Sequence, residues 1–161
     1  MTVASAASPD QVELYTQGMC HVFAVALHRA FGWSIHLVLD QAETWWEDSR
    51  DPDNRIPAVV HAYALDPAGN AWDILGSRPL GEAQEELSDW VHVREYDSET
   101  VHDEKGLAHW CGCWQDEDDG SEVDRPLSGY DETDVEEAIS AAFGTLSGID
   151  GFPSAPKHGS P

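Results

Sequence analysis

Residues 20–31, Cys-His-Val-Phe-Ala-Val-Ala-Leu-His-Arg-Ala-Phe, constrain the fold more than any other stretch. Val22, Phe23, Ala26, Leu27, Ala30 and Phe31 recur at the spacing of one helical face. Gly32 follows directly and supplies a C-terminal stop. A helix with so broad an apolar stripe has to be covered, and the next residues offer the cover. WSIHLVLD (33–40) is rich in branched side chains and predicts a strand. IPAVVHAYALD (56–66) predicts a second, and AWDILG (71–76) the strand that returns after the tight turn DPAGN (66–70). ETWWEDSRDPDNR (43–55) reads as a polar connection between the first two. The result is an α+β domain in which this helix packs on an antiparallel sheet.

The pattern weakens after Leu80. GEAQEELSDW (81–90) predicts a short helix, and VHVREY (91–96) a strand in which Val91 and Val93 alternate with polar residues. DETDVEEAISAAFGTL (131–146) predicts a last helix, capped by Asp131 or Thr133, with Val135, Ala138, Ile139, Ala142 and Phe143 as its apolar stripe. The segment 116–134 has almost nothing to bury and reads as a loop or disordered stretch. The tail 147–161, rich in Gly, Pro and Ser, reads as flexible. A single domain over 1–146 follows, with a core at 15–80 and an acidic half at 82–146.

Charge separates those halves. The chain carries 31 acids and 8 bases, net −23. Residues 1–81 hold 10 acids and 4 bases, net −6, whereas 82–137 hold 20 and 3, net −17. Such a field disfavours nucleic acid and anionic lipid and favours basic partners. No apolar run is long enough to span a membrane, and the first residues lack the basic and apolar regions of a secretory signal. The expectation is a cytoplasmic protein, where Cys20, Cys111 and Cys113 stay reduced. Reactivity or metal binding is then the question they raise.

Cys20 falls in the first turn of the predicted helix, where unpaired N–H groups and the helix dipole favour negative charge. A thiol so placed ionises more readily, and the thiolate is the nucleophile. His61 lies on one strand of the predicted hairpin and Asp73 on the other, opposite or diagonal to each other on one face. An imidazole to take the thiol proton and a carboxylate to orient it are what thiol catalysis needs.

GMCHVFAVAL around Cys20, VVHAYALDPAG around His61 and AWDILG around Asp73 resemble the papain-like and transglutaminase-like superfamily. The resemblance covers residues 15–80. It implies a minimal core in which a helix headed by the nucleophile packs on the sheet that carries the other two residues. It implies Cys20 as nucleophile, His61 as general base and then acid, and Asp73 as the orienting group. An oxyanion hole would draw on the Cys20 N–H and the Gln17 side chain. Gly18 would let a substrate approach closely, and the Trp45–Trp46 segment would form the lip of a cleft. His21 reads as a solvated histidine and His36 as a satisfied sheet residue. No cofactor is expected.

Three functions follow. The first is a thiol hydrolase or acyltransferase acting on a peptide, amide or other acyl group, on a basic protein by charge. The second is an acidic binding module that engages a basic partner or mimics the charge of a nucleic acid. The third is a small zinc protein, with His102, His109, Cys111 and Cys113 as a four-ligand set. Against the third, the same stretch reads as a Trp-rich turn in which Trp110 and Trp114 cover the core.

Overall fold

The predicted helix forms as α2 (Cys20–Phe31), ending on Gly32, whose φ of 78° is left-handed and whose N–H bonds the His28 carbonyl at 2.7 Å. The computed structural model describes residues 6–17, 19–48, 51–90, 96–108, 110–111, 113–115, 122–124, 127 and 129–153. Around α2 lie α1 (Pro9–Gln17), β1 (Ser34–Asp48), β2 (Asp51–Leu65), β3 (Asn70–Asp73) and β4 (Gly76–Pro79). They are followed by α3 (Leu80–Trp90), β5 (Tyr96–Val101), α4 (Glu104–Ala108), β6 (Cys113–Gln115), β7 (Glu122–Asp124) and α5 (Glu132–Leu146). The main sheet is antiparallel, in the order β4-β3-β2-β1-β5, and β6 pairs with β7 separately. The fold is thus α+β, with the helix that bears Cys20 packed on the sheet.

Two layers of side chains hold it together. Val22, Phe23, Val25 and Leu27 of α2 share a core with Ile35, Leu37, Leu39, Ala62, Ala64 and Trp72 of the sheet, and with Val135, Ala138 and Leu146 of α5. Val38, Tyr63, Ala71 and Ala83 form a second cluster. Successive residues of a strand face opposite sides. So Ala62 and Ala64 point to the helical core and Tyr63 to the side covered by α3, while His61, beside the register shift at Val38 and Leu39, interacts with Cys20 at the start of α2. On β3, Trp72 and Asp73 divide in the same way. Arg29 fastens the end of α2 by bonding Glu104 and Glu132, a partly exposed clamp that solvent screens.

Several expectations need correction. The segment 43–55 is not a loop: β1 runs on to Asp48, β2 starts at Asp51, and Trp46 pairs with Ile56 across several register shifts. Backbone pairing there does not depend on apolar alternation. AWDILG is not one strand. β3 stops at Asp73, whose Oδ1 accepts the Leu75 N–H at 2.9 Å, so the chain turns at Ile74 and Leu75 before β4. Helix α1 was not foreseen, although Ser8 and Gln11 exchange side-chain-to-backbone bonds at 3.0 and 3.2 Å around Pro9. That is a capping box with proline at the first helical position. Residues 122–124 form β7 rather than loop, and β5 occupies the sheet edge beside β1. The strand expected over 91–96 lies almost wholly outside the described residues. The cap of α5 is Asp131, in reciprocal bonding with Asp134.

The tail is also anchored further than expected. Ile149 and Phe152 are buried, and the Phe152 ring packs on Phe31, Trp72 and Phe143 with centroids 5.3–5.6 Å away. Phe152→Ala should therefore lower stability by about 3 kcal/mol in denaturant titration, the usual cost of emptying a buried aromatic site. A truly flexible tail would give no measurable change.

Candidate active site

Cys20 is the first residue of α2, and Met19 before it offers no side-chain cap. The Met19 N–H is bonded to the Leu14 carbonyl at 3.0 Å, and the Phe23 N–H to the Met19 carbonyl at 3.1 Å. The N–H groups of Cys20, His21 and Val22 thus belong to the turn that has no carbonyl partner inside the helix. Their partial positive charge surrounds the base of the thiol. Cys20 retains 7% of its surface, so it is covered but not sealed.

His61 and Asp73 meet as the hairpin predicts. Ala64 opposes Trp72 and Leu65 opposes Ala71, which leaves His61 diagonal to Asp73 on the face of Tyr63. His61 Nε2 lies 3.0 Å from Asp73 Oδ2, and both residues are at most 2% exposed. Asp73 is ionised, so it accepts and Nε2 donates. A neutral ring so held carries its proton on Nε2 and leaves Nδ1 as an acceptor. The carboxylate has a second partner. Arg78 Nη1 donates to Asp73 Oδ1 at 2.8 Å and Nη2 to Oδ2 at 3.3 Å, while Nε of the same guanidinium bonds Glu86. The His61 ring edge also rests on Tyr63, whose hydroxyl donates to the Ala83 carbonyl at 3.1 Å.

The charges follow from these contacts. Burial pushes the Cys20 thiol up, but hydrogen bonding and charge from His21 and His61 outweigh it and bring it down to about 6. Burial pushes His61 down, but Asp73 and Cys20 lift it to about 9. Burial likewise opposes the charge on Asp73, and His61 with Arg78 holds it below the usual carboxylate range. These opposite shifts, a thiol brought down and an imidazole lifted, favour a thiolate beside an imidazolium between about pH 6 and 9. Cys111 is the opposite case: burial and the charge of Cys20 push its thiol up to about 12.

The other expected residues are less central or lie out of view. Gln17 closes α1, and its side chain is outside the described residues, as is Gly18. Trp45 and Trp46 lie on β1 rather than in a loop, with side chains outside the description. His21 is not solvated: it is fully buried beside Cys20, its ring 6.1 Å from that of Tyr130. His36 is a sheet residue as expected, with Nδ1 3.1 Å from the Thr100 hydroxyl. Of the zinc set, His102 is exposed and Cys111 is half-buried in a bridge to Leu127. His109 and the Cys113 side chain are not described, and among the described residues no three metal-ligating side chains gather. Trp110 is core, as the alternative reading has it.

Sequence reasoning missed Arg78, Glu86 and the burial of His21. A signal for Arg78 existed: it is the only lysine or arginine between Ile56 and Val93, five residues beyond Asp73. No family model, no curated protein and no solved structure matches the chain, so what the site can do has to be argued from its own residues.

Proposed function

We propose that the protein is a thiol-dependent hydrolase or acyltransferase of the papain-like and transglutaminase-like kind. The observation that carries this reading is the buried array of Cys20, His61 and Asp73, drawn from a helix start and two strands. The thiolate attacks the carbonyl carbon of an amide or ester. The developing oxyanion takes hydrogen bonds from backbone N–H groups at the start of α2. His61 Nδ1–H protonates the leaving group, and Asp73 holds the ring by Nε2–H throughout. Water or an amine then attacks the thioester while Nδ1 takes its proton, and Cys20 leaves as thiolate. Net charge of −23 favours acyl groups carried on basic proteins.

The test uses a small acylating ester and iodoacetamide on the folded protein at neutral pH, with the modified residue located by mass spectrometry. Cys20 should acquire both groups, and alkylate at least about a hundred times faster than Cys111. Equal labelling of the cysteines, or acylation that survives Cys20→Ala, would refute the proposal. The rival reading, an acidic module without chemistry, draws only on the charge and predicts salt-sensitive binding of a basic partner that Cys20→Ala leaves intact.

A further inference from the structure

We infer that Arg78 is a positioning residue of this site: its guanidinium fixes the Asp73 carboxylate against His61, while Glu86 draws off part of its charge. The inference rests on the proposed thiolate–imidazolium pair and extends it outward by two residues.

The geometry is specific. Asp73 Oδ1 takes the Leu75 N–H and Arg78 Nη1, and Oδ2 takes His61 Nε2–H and Arg78 Nη2. Four donors leave the carboxyl group no free rotation. A fork that reaches both oxygens fixes orientation as well as charge. Arg78 is itself 7% exposed. It stands on β4 opposite Ala71, with its guanidinium 6.0 Å from the Tyr63 ring centre. The same Tyr63 ring meets His61 at 4.6 Å, so one aromatic wall supports both cations. Glu86, half-exposed on α3, closes the chain at the solvent side.

A merely structural ion pair would leave the chemistry of His61 alone. This one does not, because the guanidinium shares the carboxylate that His61 uses. A positive charge beside Asp73 weakens the pull of that carboxylate on the imidazolium. Glu86, on the far side, partly cancels the guanidinium and restores that pull. Among the described residues, the titratable and charged groups that reach His61 are Cys20 from α2 and Asp73 from β3, with Arg78 from β4 and, beyond it, Glu86 from α3. His36 and Asp40 lie on the same face of β1. Among the described residues, Arg78 and Glu86 act on His61 through Asp73 with opposite signs.

The experiment follows the His61 ring by NMR and the Cys20 thiolate by its ultraviolet absorbance across pH, in the whole chain and its variants. Arg78→Met should raise the pH at which His61 loses its proton by about one unit. Glu86→Gln should lower it by a few tenths of a unit, since that carboxylate is half-exposed. Arg78→Lys should stay near the parent, because it keeps the charge, while acylation of Cys20 slows with the loss of the fork. Shifts in the same direction for Arg78→Met and Glu86→Gln, or none, would overturn the inference. Should Arg78→Met fail to fold, Glu86→Gln on the surface of α3 still decides the sign. If the parent protein shows no thiolate near neutral pH, it is the thiolate–imidazolium reading that fails instead.

Discussion

Replacing His61 by Gln is expected to empty the thiolate state of Cys20 at neutral pH, cutting the ionised fraction about a hundredfold. With the thiol at about 6, roughly nine in ten molecules carry the anion at pH 7. Without the imidazolium, burial is opposed only by His21 and the helix start, and the thiol returns to about 9 or above. Ultraviolet titration of the thiolate reads this directly. Alkylation is expected to slow much less, by about fivefold, because a thiolate of higher pKa is intrinsically the better nucleophile. Acyl transfer should suffer far more than alkylation, since the variant also lacks a donor for the leaving group. A variant whose thiolate persisted at pH 7 would show that the helix start, not His61, ionises the sulfur.

Asp73→Ala should be the most destabilising single change in the site, by about 3–5 kcal/mol. It strands Arg78 with only half its partners and removes the bond that compensates a buried imidazolium. Asp73 is held below its ordinary value, so its stabilising contribution is present above the unfolded carboxylate value and is lost as pH falls through the folded one. His61 is raised to about 9, so its contribution is complete below about 6.5 and is lost as pH rises through 9. Cys20 is depressed to about 6, so its contribution is complete above about 9 and is lost as pH falls through 6. Between about pH 6.5 and 9 the last two slopes cancel, because folding only moves one proton from sulfur to imidazole. Thermal melts of the parent should therefore show no slope from this pair across that interval and an acid-side fall carried by Asp73. In Asp73→Ala the melting temperature should be lower throughout and that acid component gone. A variant as stable as the parent would mean that the Asp73 bonds contribute nothing.

How far the sequence was legible depended on which signals reach along the chain. The stripe of α2, its glycine stop and the DPAGN turn are local, and they were enough to place Cys20 at a helix start and His61 opposite or diagonal to Asp73, of which the register gives the diagonal. The extended ends of β1 and β2 were invisible because polar residues there pair through the backbone, which leaves no apolar period. Arg78 was hidden for a related reason. With Ile74–Gly76 read as strand, nothing brought residue 78 back beside residue 73, whereas the Asp73–Leu75 turn does so at once. His21 shows the limit most clearly. Its surroundings come from Tyr130, a segment that composition alone marked as solvated. Phe152 was misread likewise, since a Gly- and Pro-rich neighbourhood says nothing about the aromatic socket formed by Phe31, Trp72 and Phe143.

Nine of the twelve residues of α2 are buried, with the sheet on one side and α1 and α5 on others. Amide hydrogens from Phe23 to Ala26 can then exchange with solvent only when the whole molecule opens. The Cys20 sulfur is thereby mounted on a deeply buried, firmly held segment. Whatever motion admits a reactant has to come from the parts that surround this spine, not from the spine itself.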